Sequence, residues 1–139
     1  MNPRKTTTGA VLEQMVLPAL EHGNYTYEKQ VVVGQRLGGG AHKADIVATN
    51  AQGEKIIISL KWQQVSGTAE QKVPYEIMCL AEAIRTGEYS RAYVVLGGRG
   101  WSKRDYFTSG KWQEYIRNVE TVRVVTLEDF VSLANQGKL

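Results

Sequence analysis

Four polar side chains interrupt a stretch of the chain that is otherwise apolar. Asp45 stands in Ala44-Asp45-Ile46-Val47, and Ser59, Lys61 and Gln63 follow an isoleucine triplet in Ile56-Ile57-Ile58-Ser59-Leu60-Lys61-Trp62-Gln63. Read as two neighbouring strands, side chains alternate between faces, so Ser59, Lys61 and Gln63 share one face while Ile58, Leu60 and Trp62 share the other. A lysine behind three isoleucines, with a carboxylate one strand away, is either an ion pair on a half-buried sheet or part of a phosphodiester-cleaving site. Such cleavage needs a nucleophilic water, charge relief on the phosphorane and help for the leaving oxygen. A divalent metal held by carboxylates supplies the first and third, and a lysine beside the scissile phosphate supplies the second or orients the water. Mg²⁺ prefers oxygen ligands and keeps several waters, so one or two carboxylates with a main-chain carbonyl are sufficient.

The elements that must position these residues are legible in order. Leu12, Met15, Val16 and Ala19 give a helical stripe from Gly9 to about Glu21, with Pro18 either kinking or dividing it and His22-Gly23-Asn24 as the stop. Tyr25 to Val33 reads as a strand with Tyr25, Tyr27, Val31 and Val33 on one face. The basic, triglycine connection Arg36 to Lys43 has no lysine-serine ending and no following helix, so it is not a nucleotide P-loop. Lys43 to Thr49 and Lys55 to Gln63 are strands joined by a hairpin-type turn, the second central and covered on both sides. Gly67 to Thr86 predicts a helix burying Val73, Ile77, Leu80, Ala81 and Ile84, with Pro74 in its first turn. Arg91 to Leu96 is a strand reached by a crossover, hence parallel to its neighbour. A helical region from Lys103 to Asn118, a strand at Val122 to Val125 and a helix capped by Thr126 complete the chain. The expectation is one α/β domain over residues 1–139, order αβββαβαβα, with no internal repeat or linker.

Composition excludes several classes. The chain has 139 residues, 42% of them hydrophobic and 22% charged, which suits one domain with a real core. No apolar run is long enough for a membrane span, and threonines follow the basic start where a secretory leader would be apolar, so a cytoplasmic protein is expected. The single Cys79 makes no intramolecular disulfide and fits a buried core position. Two histidines, His22 and His42, are too few for a zinc site, and Ser-His-Asp catalysis has no support. The net charge of +3 permits a polyanionic partner as readily as a solubilising surface.

Around Asp45 and Ser59-Leu60-Lys61 the sequence resembles the PD-(D/E)XK nuclease superfamily, whose pattern is an aspartate on the second strand and an acidic-x-Lys on the third. Glu13 on the first helix, Gln63 after the lysine, Gln71-Lys72-Val73-Pro74-Tyr75 in the form QxxxY, and Gly98-Arg99-Gly100-Trp101 add to the likeness, which covers about residues 9 to 126. The resemblance implies a restriction-endonuclease-like fold with a central mixed five-stranded sheet flanked by helices. It also implies an endonuclease of restriction, homing or resolvase type that uses Mg²⁺, with Mn²⁺ as a substitute. Asp45, Lys61, Gln63, Glu13 and Ser59 then form the catalytic set, and Asp45, the Leu60 carbonyl, Glu13 and Glu70 hold the metal.

The departure is Ser59, since a hydroxyl is a poor metal ligand where the pattern has an acid. Either Glu13, Glu70 or Glu76 supplies the carboxylate, or the chain is an inactive variant, or the fold retains only nucleic-acid binding. Arg36, His42, Lys43, Lys72, Arg99, Lys103 and Arg104 are the expected contacts to a DNA backbone, duplex or branched, with His42 facing the DNA or solvent. Trp101 and Trp112 are read as core or interface residues before stacking platforms. A chain this small suits a homodimer, or a higher homo-oligomer, that sets two sites across a duplex. A plain interaction domain with an incidental Asp–Lys pair is the third reading.

Overall fold

The structure, a computed structural model, describes residues 9–139; the polar start of the chain lies outside them. A π-helical turn, Leu12–Val16, runs into α1 (Leu17–His22). Then come β1 (Thr26–Gln35), β2 (Ala41–Thr49), β3 (Lys55–Trp62), α2 (Ala69–Thr86) and β4 (Arg91–Gly97). The chain closes with α3 (Arg104–Ser109), a 3₁₀ turn (Lys111–Tyr115), β5 (Val122–Thr126) and α4 (Leu127–Asn135). The strands lie in chain order in one sheet. β1–β2 and β2–β3 are antiparallel, whereas β3–β4 and β4–β5 are parallel, each parallel step bridged by helical structure.

The sheet is the middle of three layers. On one face the first helical segment and α4 enclose Leu20, Ile56, Ile58, Leu60 and Phe130. On the other, α2 and the α3 region enclose Ile57, Val73, Ile77, Leu80, Val94 and Trp112. Ile56, Ile57 and Ile58 are all buried, which is why β3 reads as an unbroken apolar run.

Several local expectations are revised. Pro18 has no N–H to donate, and just before it the Leu17 N–H reaches back to the Leu12 carbonyl, widening the turn to π geometry. The wider turn rotates Met15 out to solvent, away from the stripe it was expected to join. In β1 the single face expected for Tyr25, Tyr27, Val31 and Val33 does not hold. Tyr25 and Tyr27 pack on the α1 side, Val31 and Val33 on the α2 side, and between them Gln30 adopts φ +55°. Helix α2 begins at Ala69, so Pro74 lies inside it rather than in its first turn. Its buried residues are Val73, Glu76, Ile77, Cys79, Leu80 and Ala83, with Ala81 and Ile84 only half-buried. Gly110, at φ +79°, divides the region expected as one helix from Lys103 to Asn118. The cap on α4 is present: the Asp129 N–H donates to Thr126 Oγ1 at 3.1 Å.

The carboxyl end of β3 is fixed by close backbone contacts. The buried Gln63 amide donates to the Gly100 carbonyl at 2.7 Å, and its oxygen accepts from the Ala69 N–H at 2.9 Å. A Cβ on Gly98 would lie 2.4 Å from the Gln63 carbonyl oxygen, and φ there is +92°, so only glycine fits. Gly98→Ala is expected to destabilise by roughly 2–4 kcal/mol, and Gln63→Ala by roughly 1–3 kcal/mol through loss of two buried hydrogen bonds. Urea unfolding checks both; a Gln63→Ala protein as stable as the parent would show that this amide is not a structural tie.

Candidate active site

The site is built where β2 and β3 part. Their ladder runs from Thr49↔Lys55 to Ile46↔Ile58 and stops there. Ala44 and Ile46, two residues apart, pack on opposite layers, so β2 changes face at Asp45 just as β1 changes face at Gln30. Beyond the split, the Leu60 N–H has no β2 carbonyl to meet. The Asp45 side chain takes its place, with Oδ2 accepting from Leu60 N–H at 2.7 Å. In an extended strand a residue's N–H and C=O point to the same edge, so the Leu60 carbonyl faces the same gap.

On the α2 side the third-strand residue Ser59 is buried, and the carboxylate above it comes from Glu76. Ser59 Oγ donates to Glu76 Oε2 at 2.7 Å, His42 Nε2 lies 3.3 Å from the same oxygen, and Lys61 Nζ lies 3.9 Å away. The other oxygen, Oε1, accepts from the Arg36 guanidinium at 2.9 Å. Glu76 is 4% exposed, so this charge has left water almost completely. Burial alone opposes its ionisation, but the hydrogen bond from His42, the Lys61 charge, and the bonds from Ser59 and Arg36 outweigh that and hold Glu76 well below the usual carboxylate range. Asp45 is shifted the other way. Burial pushes it up, the Leu60 N–H and Lys61 only partly offset this, and the Glu76 charge adds to the rise.

The remaining candidates fall in different places. Lys61 shares the Glu76 face and keeps its ammonium partly open, with 28% of its side chain exposed. Glu13 is exposed on the first helical segment and pairs with Lys29 at 2.9 Å, apart from this cluster. Glu70 is engaged at the α3 entrance, where it accepts from Ser102 Oγ and the Lys103 N–H. Gln63 is on the expected face but both ends of its amide are already bonded to main chain. Gln71 is exposed, and the Tyr75 hydroxyl donates to the Leu37 carbonyl. His42, expected to face DNA or solvent, is fully buried, because β2 turns it under α2 against Glu76. Its Nδ1 is a buried ring nitrogen with no partner among the described residues. Arg36 is likewise drawn onto Glu76, whereas Lys43, Lys72, Arg99, Lys103 and Arg104 are exposed. Trp101 and Trp112 are buried, each donating its indole N–H to a main-chain carbonyl, of Gly97 and Phe107 respectively.

Glu76 had a legible signal. It stands in the stripe Val73-x-x-Glu76-Ile77-x-x-Leu80-x-x-Ala83, an acid where the 3.6-residue period puts core residues. Glu13 and Glu70 lack that placement. The donor set of the cluster is oxygen-rich: two carboxylates and a main-chain carbonyl, with no group of three His, Cys, Asp or Glu among the described residues. Hard oxygen donors of this kind fit a divalent cation that takes oxygen ligands. Among the described residues Asp45 Oδ1 accepts no hydrogen bond, whereas Glu76 can offer an oxygen only by exchanging one of its donors.

A family model described as a PD-(D/E)XK nuclease superfamily domain matches residues 4–138 of the chain. No curated protein matches it. Among solved structures it is similar to a protein of unknown function, AF1548, at 12% identity and a TM-score of 0.50, over 81% of this chain and 54% of that one. It is also similar to a repair endonuclease from Pyrococcus abyssi at 12% identity and a TM-score of 0.44, over 89% of this chain and 46% of that one. The chain thus spans about half the length of each. With a mixed five-stranded sheet flanked by helices, an aspartate where the second and third strands part, and a lysine on the third, this chain belongs to the PD-(D/E)XK nuclease superfamily, in its restriction-endonuclease-like fold.

Proposed function

We propose that the protein is a divalent-metal-dependent DNA endonuclease whose working residues are Asp45, Glu76 and Lys61. The observation that carries this reading is the Glu76 carboxylate 2.7 Å from the Ser59 hydroxyl, on the face and at the strand position where the family pattern has its own acid. The acid has moved from strand to helix, and the serine has become its hydrogen-bond donor.

Asp45, Glu76 and the Leu60 carbonyl would hold the metal, which when bound supplies Lewis-acid charge and a water of lowered pKa. The chain's own groups do the rest. Lys61, partly exposed and 3.9 Å from Glu76, is loosely held and free to meet a phosphate oxygen, where its charge offsets what builds up on phosphorus. Arg36 is also partly open, and on moving from Glu76 to a substrate phosphate it would release Oε1 toward the metal. Ser59 and His42 keep Glu76 over β3 while this exchange occurs. Exposed Lys43 and Lys72 add sequence-neutral phosphate contacts. A homodimer is the assembly this reading expects for cutting both strands of a duplex.

A second reading, a DNA-binding module without hydrolysis, draws on the protein donors that occupy both Glu76 oxygens. Plasmid and branched-DNA cleavage with Mg²⁺ or Mn²⁺ separates the two. Lys61→Ala and Glu76→Gln should each abolish nicking while salt-sensitive DNA binding survives; absence of cleavage by the parent protein under any divalent metal would overturn the nuclease reading. Ser59→Glu places a second carboxylate against Glu76 and should lose both stability and activity, whereas Ser59→Glu with Glu76→Ser returns the acid to the strand and should recover part of the activity.

The two carboxylates also predict opposite stability effects in metal-free protein at neutral pH. Glu76 titrates below an ordinary glutamate, so its stabilisation is present above the ordinary value and is lost as pH falls through the depressed one. Glu76→Gln should therefore cost roughly 2–4 kcal/mol by leaving Arg36 and Lys61 without their partner. Asp45 titrates above an ordinary aspartate, so the fold loses stability as pH rises through that interval and Asp45 ionises. Asp45→Asn should raise the melting temperature; a lowered one would contradict the sign.

A further inference from the structure

Trp62 stands next to Lys61 in β3 but on the opposite face, and it opens onto a groove of about 650 Å³. Met15, Trp62, Arg99, Trp101, Arg104 and Glu128 are among the residues that line the groove. A second depression of about 420 Å³ shares Gln64, Arg99 and Trp101 with it and extends past Val65, which is 74% exposed. Together they form a channel that leaves the carboxyl end of β3.

The channel is built around an indole. Trp62 pairs with Gly97 of β4, and a Cβ on Gly97 would lie 2.7 Å from the Trp62 ring, so the missing side chain is what lets the indole lie against the strand. Trp62 is half-buried in this position and forms part of the channel wall, whereas Trp101 and Trp112 are buried. Cations stand beside it. Arg99 has no carboxylate within 4.0 Å among the described residues, and Arg104 meets only Asp105, at 3.7 Å, whose side chain is 97% exposed. An aromatic ring, exposed apolar side chains and exposed guanidinium groups suit a ligand with both a π face and phosphates.

We infer that this channel binds single-stranded nucleic acid, with an unpaired base stacked on Trp62 and its flanking phosphates on Arg99 and Arg104. The inference rests on the nuclease reading for its place in the reaction. Bases inside a duplex have no free face for an indole, so the channel distinguishes unpaired from paired DNA. Because Lys61 and Trp62 are consecutive on opposite faces of β3, a substrate with a duplex on one side and an unpaired arm on the other would engage both sites. The substrate class is then a duplex with an unpaired arm.

Binding of the 139-residue chain in EDTA, where no cleavage occurs, tests this. The probes are an oligothymidylate, a blunt duplex and the same duplex with a splayed tail, read by anisotropy and tryptophan quenching. The tailed duplex should bind about 5- to 100-fold more tightly than the blunt one, the range expected for one stacked base. Trp62→Leu should abolish that preference and Trp62→Phe should restore most of it. Arg99→Ala, an exposed position that tests the site independently of packing around Trp62, should weaken oligothymidylate binding and lower its salt slope by about one. Equal affinity for blunt and tailed duplexes, or a preference that survives Trp62→Leu, would overturn the inference. Metal-dependent cleavage lost in Lys61→Ala, without any preference for the tailed duplex, would leave the nuclease reading standing and remove the channel. A tail preference with no cleavage under any metal would do the reverse.

Discussion

A single buried carboxylate organises this protein. Glu76 lies on the core-facing stripe of α2, 4% exposed, and an ionised group there is tolerable only if its lost hydration is replaced. The replacement comes from four residues on three separate elements: Arg36 from the β1–β2 connection, His42 from β2, and Ser59 and Lys61 from β3. Each must be where it is for the charge to be held. The position of α2 over the sheet, the path of the hairpin connection and the face presented by β3 are therefore coupled through one side chain. His42 has its second ring nitrogen unpartnered among the described residues, so its contact with Glu76 is the polar interaction that accounts for a histidine in this core.

The second constraint is the parting of β2 from β3. Parting strands leave main-chain groups without partners, and buried groups of that kind must be satisfied. Asp45 does so for Leu60, and the same act fixes its carboxylate beside Lys61 and within the field of Glu76. The face changes at Gln30 and Asp45 accompany the split and let β1 and β2 pack against α1 at one end and α2 at the other. A carboxylate raised by burial and one lowered by its donors give two acids of different character beside a partly exposed ammonium.

Membership of the PD-(D/E)XK nuclease superfamily accords with this layout, in which a buried helix carboxylate lies against Ser59 of the third strand. Glu76 and Ser59 meet on one face, because a helix residue in the core stripe and a strand residue below it converge on one point in space. The cost of this arrangement is a buried charge on a helix, offset by the donors that surround it. Among the described residues no helix is long and apolar enough to cross a membrane.

Much of this architecture was legible in the residues alone. The order of elements, the central position of β3, the parallel crossover to β4, the Thr126 cap and the shared face of Ser59 and Lys61 all follow from periodicity and local chemistry, which act over a few neighbours. The break of face at Gln30, the exposure of Met15 and the division of the Lys103–Asn118 region depend on left-handed or π backbone geometry that hydrophobic spacing does not reveal. For the site, the strand pair Asp45 and Lys61 was evident, and so was the vacancy at Ser59. Three acids competed to fill it. Only tertiary packing separated them, because whether Glu13, Glu70 or Glu76 meets Ser59 depends on how helices lie over the sheet, a contact between residues far apart in the chain. The same holds for His42 and Gln63: their types suggested solvent or substrate, and long-range burial bound them instead to Glu76 and to the backbone of Ala69 and Gly100.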